Sequence, residues 1–345
     1  MVAAPCGVVL WCLKCFRFLV TIQFVKAFVL LNSQPRSGIS TTTTLTTTRT
    51  QLFCNNSSMS GDNTIPKLLF TSPLLQGSSS SSSSSNRSRD ERKLQGRQAL
   101  IVLNYPISCP PSRVLATLWN TSGERICADG GANRLYHATE HGSFWIPNRI
   151  RGDLDSLNPS VRDFYASKGV VIERDPCQDT NDLDKALQAI VGCHDTNESG
   201  ATATTTTTTR VVVYGAFGGR FDQEMASFQA LYKYGPRFDH QIWLYSDETC
   251  AVLIPADTLV ELKLPCFDET GLSDTTSVGE GPTCGLVPIG CKCDSVITSG
   301  LKWDLDGSIP LEFGGLVSTS NRIMEATVTI RASHPIVFTA EIVLH

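Results

Sequence analysis

The sequence predicts an α/β protein, in which an N-terminal, doubly wound and mostly parallel sheet domain is followed by an all-β sandwich domain. Two observations support this class. Between about residues 97 and 246, short apolar runs alternate with amphipathic stretches, as strands alternate with helices in a parallel sheet. After residue 247 the runs are short, apolar and polar residues alternate within them, and helical periodicity is scarce.

The elements of the first folded part follow from apolar runs and their breakers. The run Ala99–Leu103 ends in Asn-Tyr-Pro and predicts a buried strand. The other predicted strands of this part are 125–128, 169–173, 210–214 and 241–245, and the predicted helices are 113–120, 132–140, 160–168, 182–191 and 222–232. The threonine run 204–209 interrupts this pattern and predicts a surface loop.

The second folded part, residues 247–345, contains predicted strands at 251–254, 258–264, 286–289, 295–298, 315–319, 326–331 and 336–342. Residues 267–285 are polar, acidic and contain several glycines, so they predict a long exposed loop. With 345 residues, the chain is long enough for two domains of about 100–200 residues each.

Residues 1–96 differ from the rest and predict a disordered, low-complexity extension with an apolar N-terminal stretch. They contain threonine and serine runs, which bury too little apolar surface to offset the entropy of the chain. The apolar stretch 8–31 suits a signal sequence, a membrane anchor or a targeting peptide, but three cations within it disfavour a membrane-spanning helix. An incidental disordered extension suits this stretch at least as well, so the segment does not decide the compartment. We expect a cytoplasmic protein that is not bound to a membrane.

Charge and cysteine content exclude some classes of protein. The formal net charge is −4, so the chain lacks the basic footprint of a nucleic-acid-binding protein. Its 13 cysteines are scattered through a long chain, which is typical of free thiols in a reducing compartment. Any polyanionic substrate must then be bound locally, through a metal ion or a few arginines.

Four polar clusters follow predicted strands. Because ligands of doubly wound sheets bind beyond the carboxyl ends of the strands, these clusters predict one shared site. The clusters are residues 129–133, 153–155, 175–184 and 215–222.

Asp153 and Asp155 either alternate along an extended backbone or share a tight turn. Magnesium prefers hard oxygen ligands and takes one or two carboxylates together with substrate phosphates. The pair therefore suits a magnesium and phosphate site. It also suits a solvated turn, a helix cap formed with Ser156, or a nucleotide-sugar glycosyltransferase.

Two further clusters add anion-binding potential. Asn181 or Asp182 suits the N-cap of the next helix, and Asp182 also suits a second carboxylate contact to a metal ion or a nucleophile. The turn with Gly218, Gly219 and Arg220 lets the backbone approach phosphate oxygens, although it lacks the Walker A ending. Asp222 could hold Arg220, bind metal or cap the helix.

In the second part, Trp303 and the run Ser318-Thr-Ser-Asn321 leave two interpretations open. A tryptophan in this setting is usually core or dimer surface, and such a polar run is usually a turn. An aromatic face beside hydroxyl and amide groups also suits a flat heteroaromatic substrate.

Taken in order, six strings make the chain resemble the thiamin pyrophosphokinase family over about residues 98–345. The strings are Cys127-Ala-Asp-Gly-Gly-Ala-Asn-Arg134, Arg151-Gly-Asp-Leu-Asp-Ser156, Asp179-Thr-Asn-Asp182, Gly218-Gly-Arg-Phe-Asp-Gln223, Gly300-Leu-Lys-Trp303 and Ser318-Thr-Ser-Asn321. The resemblance implies an ATP- and magnesium-binding catalytic domain at 97–246, a thiamin-binding sandwich at 247–345, and a homodimer with sites at its interface. The implied reaction transfers pyrophosphate from ATP to the thiamin hydroxyl and releases AMP.

The resemblance also implies roles for individual residues. The catalytic set is Asp153, Asp155, Asp182 and Asp222, of which the first three are the implied metal ligands. The implied nucleotide and phosphate contacts are Asp129, Gly130, Asn133, Gln178, Asn181, Gly218, Gly219, Arg220 and Gln223. The implied thiamin contacts are Trp303, Ser318, Ser320 and Asn321. Asp182 or Asp155 is the expected general base.

Asn181 departs from the pattern, since a threonine is expected there as one phosphate or metal contact. Two other functions stay open. One is a nucleotide-dependent transferase that uses the aspartate pair on another acceptor, and the other is a nucleotide- or thiamin-binding module without catalysis.

Overall fold

A computed structural model describes residues 65–75, 98–140, 145–195, 210–264 and 278–344. The strands are β1 (Lys67–Thr71), β2 (Gln98–Val102), β3 (Glu124–Ala128), β4 (Arg149–Gly152), β5 (Val171–Arg174), β6 (Arg210–Tyr214), β7 (Ile242–Tyr245), β8 (Thr249–Ile254), β9 (Leu259–Lys263), β10 (Val278–Val287), β11 (Val296–Ser299), β12 (Ser318–Arg322), β13 (Thr327–Ala332) and β14 (Ile336–Leu344). The α-helices are α1 (Arg113–Thr121), α2 (Gly131–Ala138), α3 (Pro159–Ser167), α4 (Asp182–Asp195) and α5 (Phe221–Tyr234).

A ten-stranded sheet forms the centre of the molecule, in the order β12-β10-β14-β8-β7-β6-β2-β3-β4-β5. The six strands from β7 to β5 in this order are parallel. Strands β2 and β6 are buried at every position, as their apolar runs ALIV and VVVY predict for strands covered on both faces.

Helices cover both faces of the parallel strands. Apolar residues of α1, α2 and α3 belong to one buried cluster, and those of α4 and α5 belong to a second cluster on the opposite face. This arrangement confirms the doubly wound sheet that the sequence predicts, with its carboxyl edge open between the strand ends.

The C-terminal part is rich in strands, as predicted, and its strands fall into two sheets. Strands β8, β14, β10 and β12 pair antiparallel and extend the large sheet, because β8 turns back directly onto β7. A second sheet has the order β1-β9-β13-β11. Apolar residues of both sheets share one buried cluster, which confirms the sandwich packing.

The N-terminal segment contains a strand, so the prediction of a disordered extension over residues 1–96 is wrong at residues 67–71. Strand β1 pairs parallel with β9, with Lys67 opposite Leu259, and Phe70 is fully buried. The short apolar run LLF between polar tracts is too weak a signal without its distant partner strand. The apolar stretch 8–31, the threonine run 41–48 and the serine run 78–85 lie outside the described residues.

The long exposed loop predicted for residues 267–285 is also wrong at its C-terminal end. Residues 278–287 form the mostly buried strand β10, and Glu280, its third residue, is fully buried. Ser72 Oγ donates to Glu280 at 2.5 Å, and the Tyr245 hydroxyl donates to the same carboxylate. Polar composition suggested exposure, whereas these hydroxyl donors allow a carboxyl group inside the core. Residues 265–277 and the threonine run 204–209 lie outside the described part of the chain.

Burial raises the pKa of the Glu280 carboxyl, while the hydroxyl donors act in the opposite sense. Arg210 is buried nearby and donates from Nη1 to the Thr71 main-chain oxygen at 2.7 Å. The segment around β1 is therefore joined to the large sheet by polar contacts as well as by apolar packing. Among the described residues, no helix is both long and apolar enough to cross a bilayer.

Candidate active site

Three carboxylates meet at the carboxyl edge of β3 and β4. Oxygens of Asp129, Asp153 and Asp155 lie within 4.8 Å of one another. Asp129 directly follows β3, and the aspartate pair follows the neighbouring parallel strand β4. The sheet topology thus brings together two clusters that are about 25 residues apart in sequence, as the sequence predicts.

Asp153 and Asp155 share a tight turn, which resolves the choice left open by their spacing. Leu154 between them has a φ of 64°, in the left-handed region, and the Asp155 N–H donates to Asp153 Oδ1 at 3.2 Å. This main-chain donor is the main reason that the pKa of Asp153 lies below its usual value. Asp155 does not cap the next helix, because Asn158 occupies the N-cap position of α3.

Asp129 is the buried member of the group, with a side chain that is 1% exposed. The Ser156 N–H donates to its Oδ2 at 3.2 Å, whereas its Oδ1 has no hydrogen-bond partner. Burial raises the pKa of the Asp129 carboxyl. A buried carboxylate oxygen without a donor is costly unless a cation or a ligand group supplies the missing contact.

Asp182 lies beside this group but is not part of it. A Cβ atom added to Gly152 would be 3.1 Å from Asp182 Oδ1 and 2.7 Å from Asp129 Cβ, so the two aspartates flank this glycine. Burial, followed by the charge of Asp129, raises the pKa of Asp182 to about 6. Asp129, rather than Asp182, therefore completes the tightest carboxylate cluster.

Asn181 caps helix α4, which is one of the two roles predicted for this position. Its Oδ1 accepts a hydrogen bond from the Asp184 N–H at 2.7 Å. Because asparagine and threonine both supply a side-chain oxygen for an N-cap, the departure at Asn181 preserves the helix start.

The glycine-rich turn after β6 has the left-handed backbone that only glycine adopts freely, with φ values of 84° to 86° at Gly215, Gly218 and Gly219. Arg220 and Asp222 form an exposed ion pair, in which Arg220 Nε donates to Asp222 Oδ1 at 3.0 Å. Of the three roles predicted for Asp222, the structure therefore displays the one in which it holds Arg220.

Asn104 and Tyr105, in the loop after β2, each pack against one glycine turn. The sequence predicted only that a strand ends at these residues. A Cβ on Gly130 would be 2.4 Å from Asn104 Nδ2, and one on Gly218 would be 2.5 Å from the Tyr105 hydroxyl oxygen. Both turns therefore pack against the loop after β2, and both need glycine because side chains already fill the space.

The remaining residues predicted to contact nucleotide differ in their surroundings and hydrogen bonds. Asn133 donates from Nδ2 to the Ser156 main-chain oxygen at 2.7 Å and accepts from the Asn158 N–H, so it holds the turn after Asp155. Gln178 is a hydrogen-bond partner that helps to lower the pKa of Asp153. Gln223 is exposed in the first turn of α5.

In the strand-rich part, Trp303 is exposed, with 56% of its surface accessible, and Lys302 Nζ lies 4.7 Å from its ring centroid. Asn321 is buried and hydrogen-bonds the main chain of Trp303. Ser318 and Ser320 are on β12, and Ser320 has a φ of 57°. Trp303 is therefore not a core residue, which removes one interpretation of this motif.

Two basic residues of the site were missed by sequence reasoning. Lys185 is buried, and its Nζ lies 3.8 Å from Asp153 Oδ2 and 3.7 Å from Asp182 Oδ1. Arg151 donates from Nε to the Lys185 main-chain oxygen at 2.8 Å. The spacing of Asp182 and Lys185, one helical turn apart, was the available signal for the first of them.

The sheet edge, with its carboxylate cluster and glycine turns, and the strand-rich part fit an enzyme that transfers phosphoryl or pyrophosphoryl groups. The chain is 36% identical over 264 residues to Thiamine pyrophosphokinase 1 of Arabidopsis thaliana, covering 73% of this chain and 89% of the relative. Thiamin pyrophosphokinase 1 of Caenorhabditis elegans is 30% identical, over 65% and 82% of the two chains. The chain therefore belongs to the thiamin pyrophosphokinase family.

Sequence profiles and solved structures agree with this assignment. Residues 115–244 match the profile of the thiamin pyrophosphokinase catalytic domain, and residues 273–337 match that of its vitamin B1 binding domain. The crystal structure of yeast thiamin pyrophosphokinase superposes with a TM-score of 0.61 at 25% identity, covering 81% of this chain and 92% of that chain. The thiamin pyrophosphokinase from Candida albicans gives a TM-score of 0.59 at 27% identity, over 73% and 91% of the chains.

Proposed function

We propose that this protein transfers pyrophosphate from ATP to the hydroxyl group of thiamin, producing thiamin diphosphate and AMP. The observation that carries the proposal is the cluster of Asp129, Asp153 and Asp155 at the open sheet edge of a chain that belongs to the thiamin pyrophosphokinase family. No observation favours the other two functions that the sequence left open, transfer to a different acceptor and binding without catalysis.

The donor set of this cluster fits a magnesium ion. Three carboxylates within 4.8 Å of one another supply hard oxygen ligands, and Asp129 Oδ1 is buried without a hydrogen-bond donor. Asp129, Asp153 and Asp155 would hold the ion, and Asp182 beside them could contact it or the substrate. When bound, magnesium would offset negative charge on the phosphate oxygens of ATP.

The protein's own groups would act mainly by position and charge. Gly130 is the N-cap of α2 and α5 begins directly after Arg220, so two helix N-termini favour phosphate oxygens here, whereas the Gly218 N–H already donates to Glu224 Oε1 at 2.7 Å. Arg220 is exposed and paired only on one side with Asp222, so its guanidinium could exchange this partner for a phosphate. Such groups align the thiamin hydroxyl with the β-phosphorus, opposite the departing AMP.

Asp182 is the better of the two expected general bases. Burial raises its pKa to about 6, so its carboxylate is both ionised at neutral pH and more basic than an ordinary aspartate. It would accept the proton of the thiamin hydroxyl. Asp155 is exposed and hydrogen-bonded by the Ser156 hydroxyl at 3.0 Å, which leaves it suited to bind the cation.

Thiamin would bind to the strand-rich part. Trp303 offers an exposed aromatic face, and Ser318 and Ser320 supply hydroxyl groups on the neighbouring strand β12, while the buried Asn321 would act by holding the main chain of Trp303. We extend the proposal to two domains, a catalytic ATP- and magnesium-binding domain at 97–246 and a thiamin-binding domain at 247–345, to which β1 is added. Matches of the two family profiles to residues 115–244 and 273–337 support this division.

A homodimer with active sites at its interface would place Trp303 of one subunit over the carboxylates of its partner. Several apolar side chains of the strand-rich part are exposed and would be covered in such a dimer, namely Ile297, Ile309, Phe313 and Leu316. We also propose a cytoplasmic location. The described cysteines are free, as expected in a reducing compartment.

One assay tests the main proposal. Purified protein is incubated with ATP, magnesium and thiamin, and both AMP and thiamin diphosphate are quantified. Equal amounts of the two products are expected. AMP without thiamin diphosphate would indicate another acceptor, and no turnover of nucleotide with any acceptor would favour a binding module.

A further inference from the structure

Lys185 is a buried cation in the candidate active site to which the proposed mechanism gives no role. Its side chain is 2% exposed, and lysine is almost never this buried unless it is paired. Its Nζ is nearly equidistant from Asp153 Oδ2, at 3.8 Å, and Asp182 Oδ1, at 3.7 Å. Both distances exceed a direct hydrogen bond, so the ammonium lies between the two carboxylates rather than on either one.

The backbone around Lys185 is fixed to the sheet. Its main-chain oxygen accepts from Arg151 Nε at 2.8 Å, and Arg151 is held in turn by Glu173 at 3.2 Å and by Asp175 at 3.0 Å. The first turn of α4 is therefore joined to β4 and β5 through one arginine. The ammonium thus has a defined position relative to the carboxyl ends of these strands.

The negative charges around Lys185 explain why an ammonium group lies at this position. Asp129, Asp153, Asp155 and Asp182 crowd four carboxyl groups at one sheet edge, and like charges at such distances repel strongly in a poorly solvated site. Among the described residues, the Lys185 ammonium lies within 4 Å of two of these carboxylates, those of Asp153 and Asp182. Its attraction acts on both Asp153 and Asp182 and opposes their separation.

We infer that Lys185 is a positioning residue for the transfer reaction, which holds Asp182 and Asp153 at a fixed separation so that the base and the cation-binding carboxylate face the same reacting hydroxyl. This inference rests on the proposed function. Lys185 reaches the substrate only through these two aspartates, and it is not itself placed in contact with ATP or thiamin.

The test compares Lys185→Met with Lys233→Met. Lys233 on α5 is a matched control. Its Nζ also pairs with an aspartate of α4, Asp184, at 3.3 Å, but its side chain is exposed. We expect Lys185→Met to lower kcat by about 100-fold, with the KM for thiamin changed by less than about threefold, since an interaction needed for the chemical step is lost. Lys233→Met should keep the wild-type kcat, and both variants should unfold within a few degrees of the wild type.

Two further variants separate positioning from simple structural support. Lys185→Arg keeps the charge and should retain at least about tenfold more turnover than Lys185→Met. In an Asp182→Asn background, Lys185→Met should cost less than about threefold, because residues that act as a unit have non-additive effects. If Lys185→Met does not fold, Lys185→Gln takes its place in both comparisons.

The inference is overturned if Lys185→Met keeps kcat within about threefold of the wild type, or if its loss is fully additive with Asp182→Asn. A loss that appears only as a higher KM for thiamin would overturn it as well. If the wild-type protein itself forms no thiamin diphosphate from ATP and thiamin, the proposed function fails, and the inference fails with it. The wild-type assay therefore distinguishes the two failures.

Discussion

Asn321 holds both main-chain polar groups of Trp303, since its Oδ1 accepts from the Trp303 N–H at 3.2 Å and its Nδ2 donates to the Trp303 oxygen at 2.8 Å. The same Oδ1 also accepts from the Arg322 N–H at 2.8 Å. A buried amide thus fixes the backbone that presents an exposed aromatic ring. This relationship assigns Asn321 to support of the aromatic face rather than to direct contact with a ligand.

Replacing Asn321 by alanine should therefore impair the use of thiamin more than that of ATP. We expect a KM for thiamin about tenfold higher, the equivalent of one or two lost hydrogen bonds, with an unchanged KM for ATP. Thr319→Ala is the control, because Thr319 belongs to the same strand but is exposed and has no part in holding Trp303. Steady-state kinetics with each substrate varied would measure this, and equal rises in both KM values would contradict it.

Asp153→Asn should abolish turnover and leave the fold intact. The change removes one negative charge from the proposed cation site while keeping the size of the side chain, so we expect kcat to fall at least about 1000-fold. Asp163→Asn, an equivalent change on the exposed face of α3, should have the wild-type rate. Near-normal turnover by Asp153→Asn would disprove its assignment to the cation site.

Asp182 should make the stability of the metal-free protein depend on pH. Its pKa in the folded state is raised to about 6, above the ordinary value of 3.8, so the folded state binds this proton more tightly than the unfolded chain. The free energy of unfolding contributed by this group is therefore highest below pH 4 and falls as the pH rises through about 6.

Asp182→Asn removes that dependence. Without added divalent cations, we expect the variant to be more stable than the wild type at pH 7 to 8, with a difference that shrinks as the pH approaches 4. Urea unfolding at several pH values would measure this. A difference between the two proteins that is the same at every pH would contradict the raised pKa.

Gly218 and Gly219 form a natural pair for separating backbone strain from crowding. Both have φ values near 85°, but a Cβ on Gly218 would be 2.5 Å from the Tyr105 hydroxyl, whereas one on Gly219 meets nothing within 4 Å. Gly219→Ala should cost about 1–2 kcal/mol of unfolding free energy, the cost of a left-handed alanine. Gly218→Ala should cost more and should also raise the KM for ATP.

Tyr105→Phe in the Gly218→Ala background tests the source of that excess. Removal of the hydroxyl relieves the shortest contact, so the double variant should regain part of the extra loss. Equal unfolding free energies for the two alanine variants would show that Tyr105 does not crowd this turn.

Removal of β1 should destabilise the strand-rich part. A chain that begins at residue 98 loses the partner of β9 and the Ser72 donor to Glu280, whereas a chain that begins at residue 65 keeps both. Loss of β1 also exposes the edge of β9, which favours aggregation. We expect a lower unfolding temperature and more aggregate for the shorter chain, measured by thermal unfolding and size-exclusion chromatography. Identical behaviour of the two chains would contradict this role for β1.

The parts of the fold that follow from local pattern were predictable from the sequence. Runs such as Ala99–Leu103 and Val211–Tyr214 lie in strands because they are apolar at every position and are followed by breakers. Their alternation with helices implies parallel pairing, and parallel pairing brings the carboxyl ends of strands together. For this reason Asp129 could be expected near Asp153 before any coordinates were known.

The features that were missed depend on contacts between distant residues. Strand β1 has only five residues, and its pairing partner lies almost 200 positions later. Strand β10 contains a carboxyl group whose burial depends on Ser72 and Tyr245. The spacing of Lys185 from Asp182 suggests a contact within one helical turn, but its nearness to Asp153 depends on the packing of α4 against β4. The local amino-acid composition does not indicate which distant residues will contact these segments.

The pairing of β1 also has a consequence for the order in which the protein folds. Ser72 and Glu280 are separated by 208 positions, so β1 leaves the ribosome long before β9 and β10 exist. At about 5–20 residues per second, the first strand waits for roughly 10–40 seconds. During that time Phe70 and its neighbours form an unpaired apolar segment, while the parallel strands can already assemble behind it. The four-stranded sheet thus cannot be completed before β13 has been synthesised, and the growing chain needs protection from aggregation until then.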